Sequence, residues 1–178
     1  MKYLIYLIAI IFLVGLNLGL FSNLQFFGQI PNFLLLFTVC ASLEKQNYDF
    51  FFIAFICGIF LDFYSANFFG TFTLSLLLLA LCLHIFANTL VLLELNWKSL
   101  VFLLLTAIIL LDLFSWVYGF AAYQFGWAPA FISFRSFAVS FAPYFFYNLL
   151  LFYPAFLFYN FVRKIVDGFS LRRRGVVR

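Results

Sequence analysis

Gly58-Ile59-Phe60-Leu61-Asp62-Phe63-Tyr64-Ser65-Ala66-Asn67-Phe68-Phe69-Gly70 sets one carboxylate into an otherwise lipid-like run. A charge in hydrocarbon costs a few kcal/mol or more, so a carboxylate at such a position is rarely idle. The pattern recurs. Leu61-Asp62-Phe63-Tyr64-Ser65 is echoed by Leu111-Asp112-Leu113-Phe114-Ser115, so two apolar segments each carry an acid with a serine three residues on. On a helix that spacing puts both groups on one face, a turn apart.

The rest of the 178-residue chain sets the solvent. It is 67% hydrophobic and 9% charged, with a mean hydropathy of +1.15. A soluble domain needs far more polar surface than that. In a bilayer the backbone must satisfy its own hydrogen bonds, which leaves helices or a closed barrel. Long uniform apolar runs without alternation exclude the barrel. The expected fold is all-α, a polytopic helical membrane bundle in one domain.

Six candidate spans emerge at about 3–22, 30–43, 49–65, 69–93, 98–122 and 137–162. Spanning takes about twenty residues, so the second and third are short. The start, Met1-Lys2-Tyr3 and an apolar run to Phe21, resembles a signal peptide but lacks a small-x-small cleavage site, and reads as a retained first helix. With both termini inside, the inner pieces hold Lys2, Lys45, Lys98 and the tail bases Arg163, Lys164, Arg172, Arg173, Arg174 and Arg178. The outer pieces hold only Arg135. That asymmetry follows the positive-inside rule and favours six spans. Residues 163–178 form a basic cytoplasmic tail, suited to anionic lipid rather than nucleic acid.

In this topology the third and fifth helices run outward in parallel. Asp62 and Asp112 each lie about 21 Å from the inner surface, by the helical rise. Two acids at one depth ask for a cation or a shared proton. Arg135, just before the sixth span, is the expected partner in a helix-to-helix clamp.

Other polar groups read as packing. His84 stands alone, too few ligands for zinc, and suits an interhelical hydrogen bond. Cys40, Cys57 and Cys82 pack as small hydrophobes. Glu44, Lys45 and Asp49 mark a solvated inner turn, as do Glu94 and Lys98. Gly15-x-x-x-Gly19 would permit close helix contact. Pro31 suits the first turn of the second helix. Tyr123 and Trp127 read as interfacial anchors, with 124–136 lying along the outer surface. Pro143 and Pro154 bend the sixth helix. No catalytic constellation, metal cluster or cofactor motif is present, so the reading is non-enzymatic.

From Pro31 to about Leu83 the chain resembles the MreD family, the small membrane subunit of the bacterial rod-shape system. The resemblance rests on Pro31-Asn32 before a short apolar helix, the charged turn Glu44-Lys45, and the spaced set Gly58, Asp62, Ser65 and Gly70. Ala66 stands where that family often has glycine, and the inner turn is less basic. The resemblance covers about a third of the chain. It implies an inner-membrane scaffold that binds a bitopic MreC-like partner, and through it couples MreB to the polymerase and transpeptidase of lateral peptidoglycan synthesis. It also implies that Asp62 and Ser65 hold helix packing or grip a partner span, while Gly58 and Gly70 permit close approach and a turn. A different class fits the same outline: the substrate-binding subunit of an energy-coupling-factor vitamin transporter. There Asp62, Asp112, Arg135, His84 and Trp127 would line an outward pocket.

Overall fold

The computed structural model describes residues 2–21, 30–44, 48–65, 69–89, 97–126 and 134–175. Side chains at 20–21, 88–89, 97–100, 134–140 and 170–175 fall outside the description. The described chain is all-helical: α1 (Lys2–Leu16), continued by a wider π-type turn (Asn17–Phe21), then α2 (Phe33–Ser42), α3 (Asp49–Tyr64), α4 (Thr71–Thr89), α5 (Trp97–Gln124) and α6 (Phe134–Gly175). Three stretches are long and apolar enough to cross a membrane: Lys2–Gly19, Val101–Gln124 and Phe141–Phe169. Their outward faces carry large apolar side chains such as Ile8, Phe12, Phe120, Leu150 and Phe161, a surface suited to lipid and not to water.

The hydropathy segments and the helices differ in three places. The second segment yields a helix of only 10 residues, about 15 Å long and half a hydrocarbon core. Every residue of it is buried, because α1, α3, α4 and α6 all pack around it. α2 is thus the axis of the bundle and meets no lipid. The sixth segment, by contrast, does not stop at residue 162. Its helix, α6, runs for 42 residues, about 63 Å, so the basic stretch from Arg163 through Arg174 is helical and continuous with the apolar part. Pro143 and Pro154 both lie inside it. Finally, among the described residues no atom lies within 4 Å of the space a Cβ would take at Gly15 or Gly19.

The ends of the bundle are held by polar groups. At one end Lys2 Nζ pairs with Asp49 Oδ1 at 2.6 Å, joining the first residue of α1 to the first of α3. Glu44, just after α2, accepts from Tyr159 Oη at 2.6 Å and pairs with Arg163 at 2.8 Å, both on α6. The acids of the inner turn are therefore interhelical locks, where the sequence reading made them solvated. His84 Nδ1 lies 3.4 Å from the Ser42 carbonyl while its ring stacks on Phe50 at 4.3 Å, so α4 is tied to α2 and α3.

Candidate functional site

The opposite end gathers the residues singled out by the sequence. Asp62 sits in the last turn of α3 and is 4% exposed. Among the described residues its partners are uncharged donors. Its Oδ1 accepts from Phe72 N at 2.8 Å, and its Oδ2 from Thr73 N at 3.0 Å and Thr73 Oγ1 at 2.5 Å. These are first-turn donors of α4, left without intrahelical partners by helix geometry. A carboxylate there meets both the orphan N–H groups and the positive end of the helix dipole. Asp62 is a cap supplied from the neighbouring helix.

Both glycines follow from that cap. At Gly58, one turn before Asp62, a Cβ would fall on the Thr73 backbone, so only glycine lets α4 approach close enough for the three bonds. Gly70 has φ of +97°, the left-handed region in which a side chain is strained, and it turns the chain into α4 just ahead of Phe72 and Thr73. Ser65 ends α3: its N–H donates to the Leu61 carbonyl at 2.9 Å and its Oγ to the Asp62 carbonyl at 3.5 Å. Gly58, Asp62, Ser65 and Gly70 thus form one device, a clasp that closes the α3–α4 hairpin.

The second D-x-x-S element does a different job. Ser115 Oγ donates to Ser75 Oγ at 3.2 Å, which ties α5 to α4 one turn beyond Thr71. Asp112 is half-buried, and among the described residues the hydrogen-bond partners of Asp62 are Phe72 and Thr73 and not Asp112. Instead it lies within electrostatic reach of Tyr144 on α6. The two acids are therefore separate groups and not a shared-proton pair. The backbone of Arg135 belongs to the first turn of α6, and its side chain lies outside the described residues, as does Trp127. Among the described residues Asp62 is held by α4 alone.

Pro31 and Asn32 form a second polar joint. α2 begins at Phe33, so Asn32 is its cap and Pro31 precedes the cap, two residues before the first helical position that suits proline. Asn32 Oδ1 accepts from Leu35 N at 3.0 Å. The Asn32 N–H donates to Asn148 Oδ1 at 2.9 Å, and Asn148 Nδ2 donates to the Tyr144 carbonyl at 2.8 Å. Asn148 is fully buried. Nothing drew attention to it in the sequence. Its signal was a lone amide in the aromatic run Pro143–Pro154, the kind of residue that apolar surroundings tolerate only with partners.

Nearby, Asn17 Nδ2 approaches Tyr64 Oη at 3.5 Å, and among the described residues no hydrogen bond reaches the buried Asn17 Oδ1. Among the described residues no group of three His, Cys, Asp or Glu is placed to hold a metal ion. Cys40 and Cys57 are buried free thiols and Cys82 is half-buried. Chemically, then, the site joins helices: carboxylate, amide and hydroxyl groups complete helix ends within an apolar bundle. Compared with known proteins, the chain matches no family model, no curated protein and no solved structure.

Proposed function

We propose that this chain is a non-enzymatic membrane scaffold of the bacterial rod-shape system, an MreD-like subunit that binds a bitopic MreC-like partner in the inner membrane. The observation that carries the reading is the use to which the Gly58/Asp62/Ser65/Gly70 spacing is put. Both oxygens of its carboxylate accept from the α4 N-terminus, so the group serves to join two helices. A scaffold needs such stiffness, because a partner reads the positions of helices and not a reaction centre. Six transmembrane segments with both ends cytoplasmic complete the proposal. The ion-paired end, where Lys2, Glu44, Asp49 and Arg163 meet, would face the cytoplasm.

Co-purification from membranes of a rod-shaped bacterium depleted of its own MreD tests this reading. Recovery of the host's MreC and restored rod shape support it. Spherical cells with no MreC recovered overturn it. One observation favours the transporter-subunit alternative: among the described residues Asn17 Oδ1 is an unpaired acceptor at the bundle end opposite the ion pairs. Recovery of an ATPase-linked coupling subunit in the same purification would select that reading.

A further inference from the structure

α1 and α3 run side by side in the same direction and are tied at both ends. Lys2 Nζ meets Asp49 Oδ1 at 2.6 Å at one end, and Asn17 Nδ2 donates to Tyr64 Oη at 3.5 Å at the other, each rung joining residues 47 positions apart. Asp49 and Tyr64 are the first and last residues of α3, which is 16 residues long, about 24 Å. Between the rungs the outward side of the pair is apolar: Leu4, Ile8 and Ile11 on α1 and Phe51, Phe55 and Phe63 on α3 stand exposed. The charged group between the rungs, Asp62, is turned into the α4 N-terminus. Polar rungs belong at the two water interfaces, so this flank falls about 6 Å short of an ordinary hydrocarbon core of about 30 Å.

α5 differs. It packs on α4 and, more slightly, on α6. Its apolar stretch, Val101–Gln124, is 24 residues long, about 36 Å. Tilt does not reconcile the two lengths. At about 40°, the upper end of what membrane helices adopt, about 36 Å still projects to about 28 Å, whereas α3 reaches its about 24 Å only when upright.

We propose that the bundle has a tapered lipid boundary: the α1–α3 flank binds phospholipids of short acyl chain and holds a thinned patch of bilayer, while the α5 flank takes longer chains. Length selects the occupant. A hydrophobic face shorter than the surrounding bilayer thins it at a cost that grows with each ångström of mismatch. A lipid whose chains already fit removes that cost. The flank is not free to lengthen, because Ser65 has left the helix with extended backbone and the ion pair with Lys2 holds Asp49 at the other end.

The inference rests on α3 crossing the membrane, as the six-segment reading has it, and the two fail in different ways. In a chain carrying Trp97→Phe, Trp116→Phe and Trp127→Phe, a single tryptophan is placed at Phe55→Trp on α3 or at Ile109→Trp on α5, both exposed positions. Phosphatidylcholines with brominated chains of about 14 or about 22 carbons, thin and thick against the ordinary core, compete with an unbrominated lipid, and quenching reads their relative affinity. At Phe55→Trp the shorter lipid is expected to win by about threefold or more, and at Ile109→Trp the order reverses. Should loss of the native tryptophans unfold the chain, bimane on Phe55→Cys or Ile109→Cys in the otherwise unaltered chain gives the same reading, since Cys40 and Cys57 are buried. The same order of preference at both positions overturns the taper and leaves the six segments standing. Quenching at Ile109→Trp with none at Phe55→Trp removes α3 from the membrane and overturns both.

Discussion

Asp62→Ala removes one side chain and strands three donors. In the intact clasp Asp62 accepts from Phe72 N, Thr73 N and Thr73 Oγ1 at 2.8, 3.0 and 2.5 Å. With Thr73 at 9% exposed, water cannot replace the lost carboxylate freely. Leaving a buried donor unsatisfied costs about 1–3 kcal/mol. Three at the low end of that range give about 3 kcal/mol, with about 0.3–1 kcal/mol more from the lost charge at a helix N-terminus. Asp62→Asn keeps one accepting oxygen and should cost roughly half as much. Equilibrium unfolding in bicelles, by steric trapping of a doubly biotinylated chain, measures both. The expected order of stability is wild type, then Asn, then Ala. An Asp62→Ala protein within about 0.5 kcal/mol of wild type, the ordinary range for an inconsequential surface change, would refute the clasp as a stabilising device.

Three further outcomes follow from the same geometry. Gly58→Ala should destabilise by about 1–3 kcal/mol in the same unfolding assay, since its methyl group meets the Thr73 backbone, whereas Gly19→Ala should be close to neutral. Asn148→Leu should cost about 1–3 kcal/mol by depriving the Asn32 N–H of its acceptor, and amide exchange at residue 32 should accelerate. Glu44→Gln keeps an acceptor for Tyr159 but loses the charge facing Arg163. It should therefore cost less than Glu44→Ala, a ranking that thermal melts in detergent would read.

The helical class was legible because composition alone rules out water as the solvent, and the long first, fifth and sixth runs announce themselves. The Gly58/Asp62/Gly70 spacing was legible as a unit, since a carboxylate in an apolar run needs a reason. What it grips was not. The reading reached for Arg135, whose side chain lies outside the described residues, and did not foresee the backbone N–H groups ten and eleven residues on. Backbone donors carry no letter in a sequence; they appear only once Gly70 starts a new helix. Hydropathy likewise could not foresee that α2 is enclosed, because it scores residues and is blind to the four helices around them. Glu44 and Asp49 read as turn residues since their partners stand 115 and 47 residues away. That α6 stays helical through the basic stretch was not legible, since hydropathy marks where a span ends and not where its helix does, although arginine is a good helix former.

The encasement of α2 bears on biosynthesis. The segment emerges among the first fifty residues, yet its wall is completed by α6, and Asn32 meets Asn148 across 116 positions of chain. At about 5–20 residues per second of translation, α2 waits roughly 6–23 s for that neighbour. During the wait its short apolar cylinder must be sheltered by α1, α3 and α4 as they emerge, or by the insertion machinery. A truncation before α6 should accordingly leave a half-built bundle that quality-control proteases recognise, even though every hydrophobic segment upstream is intact.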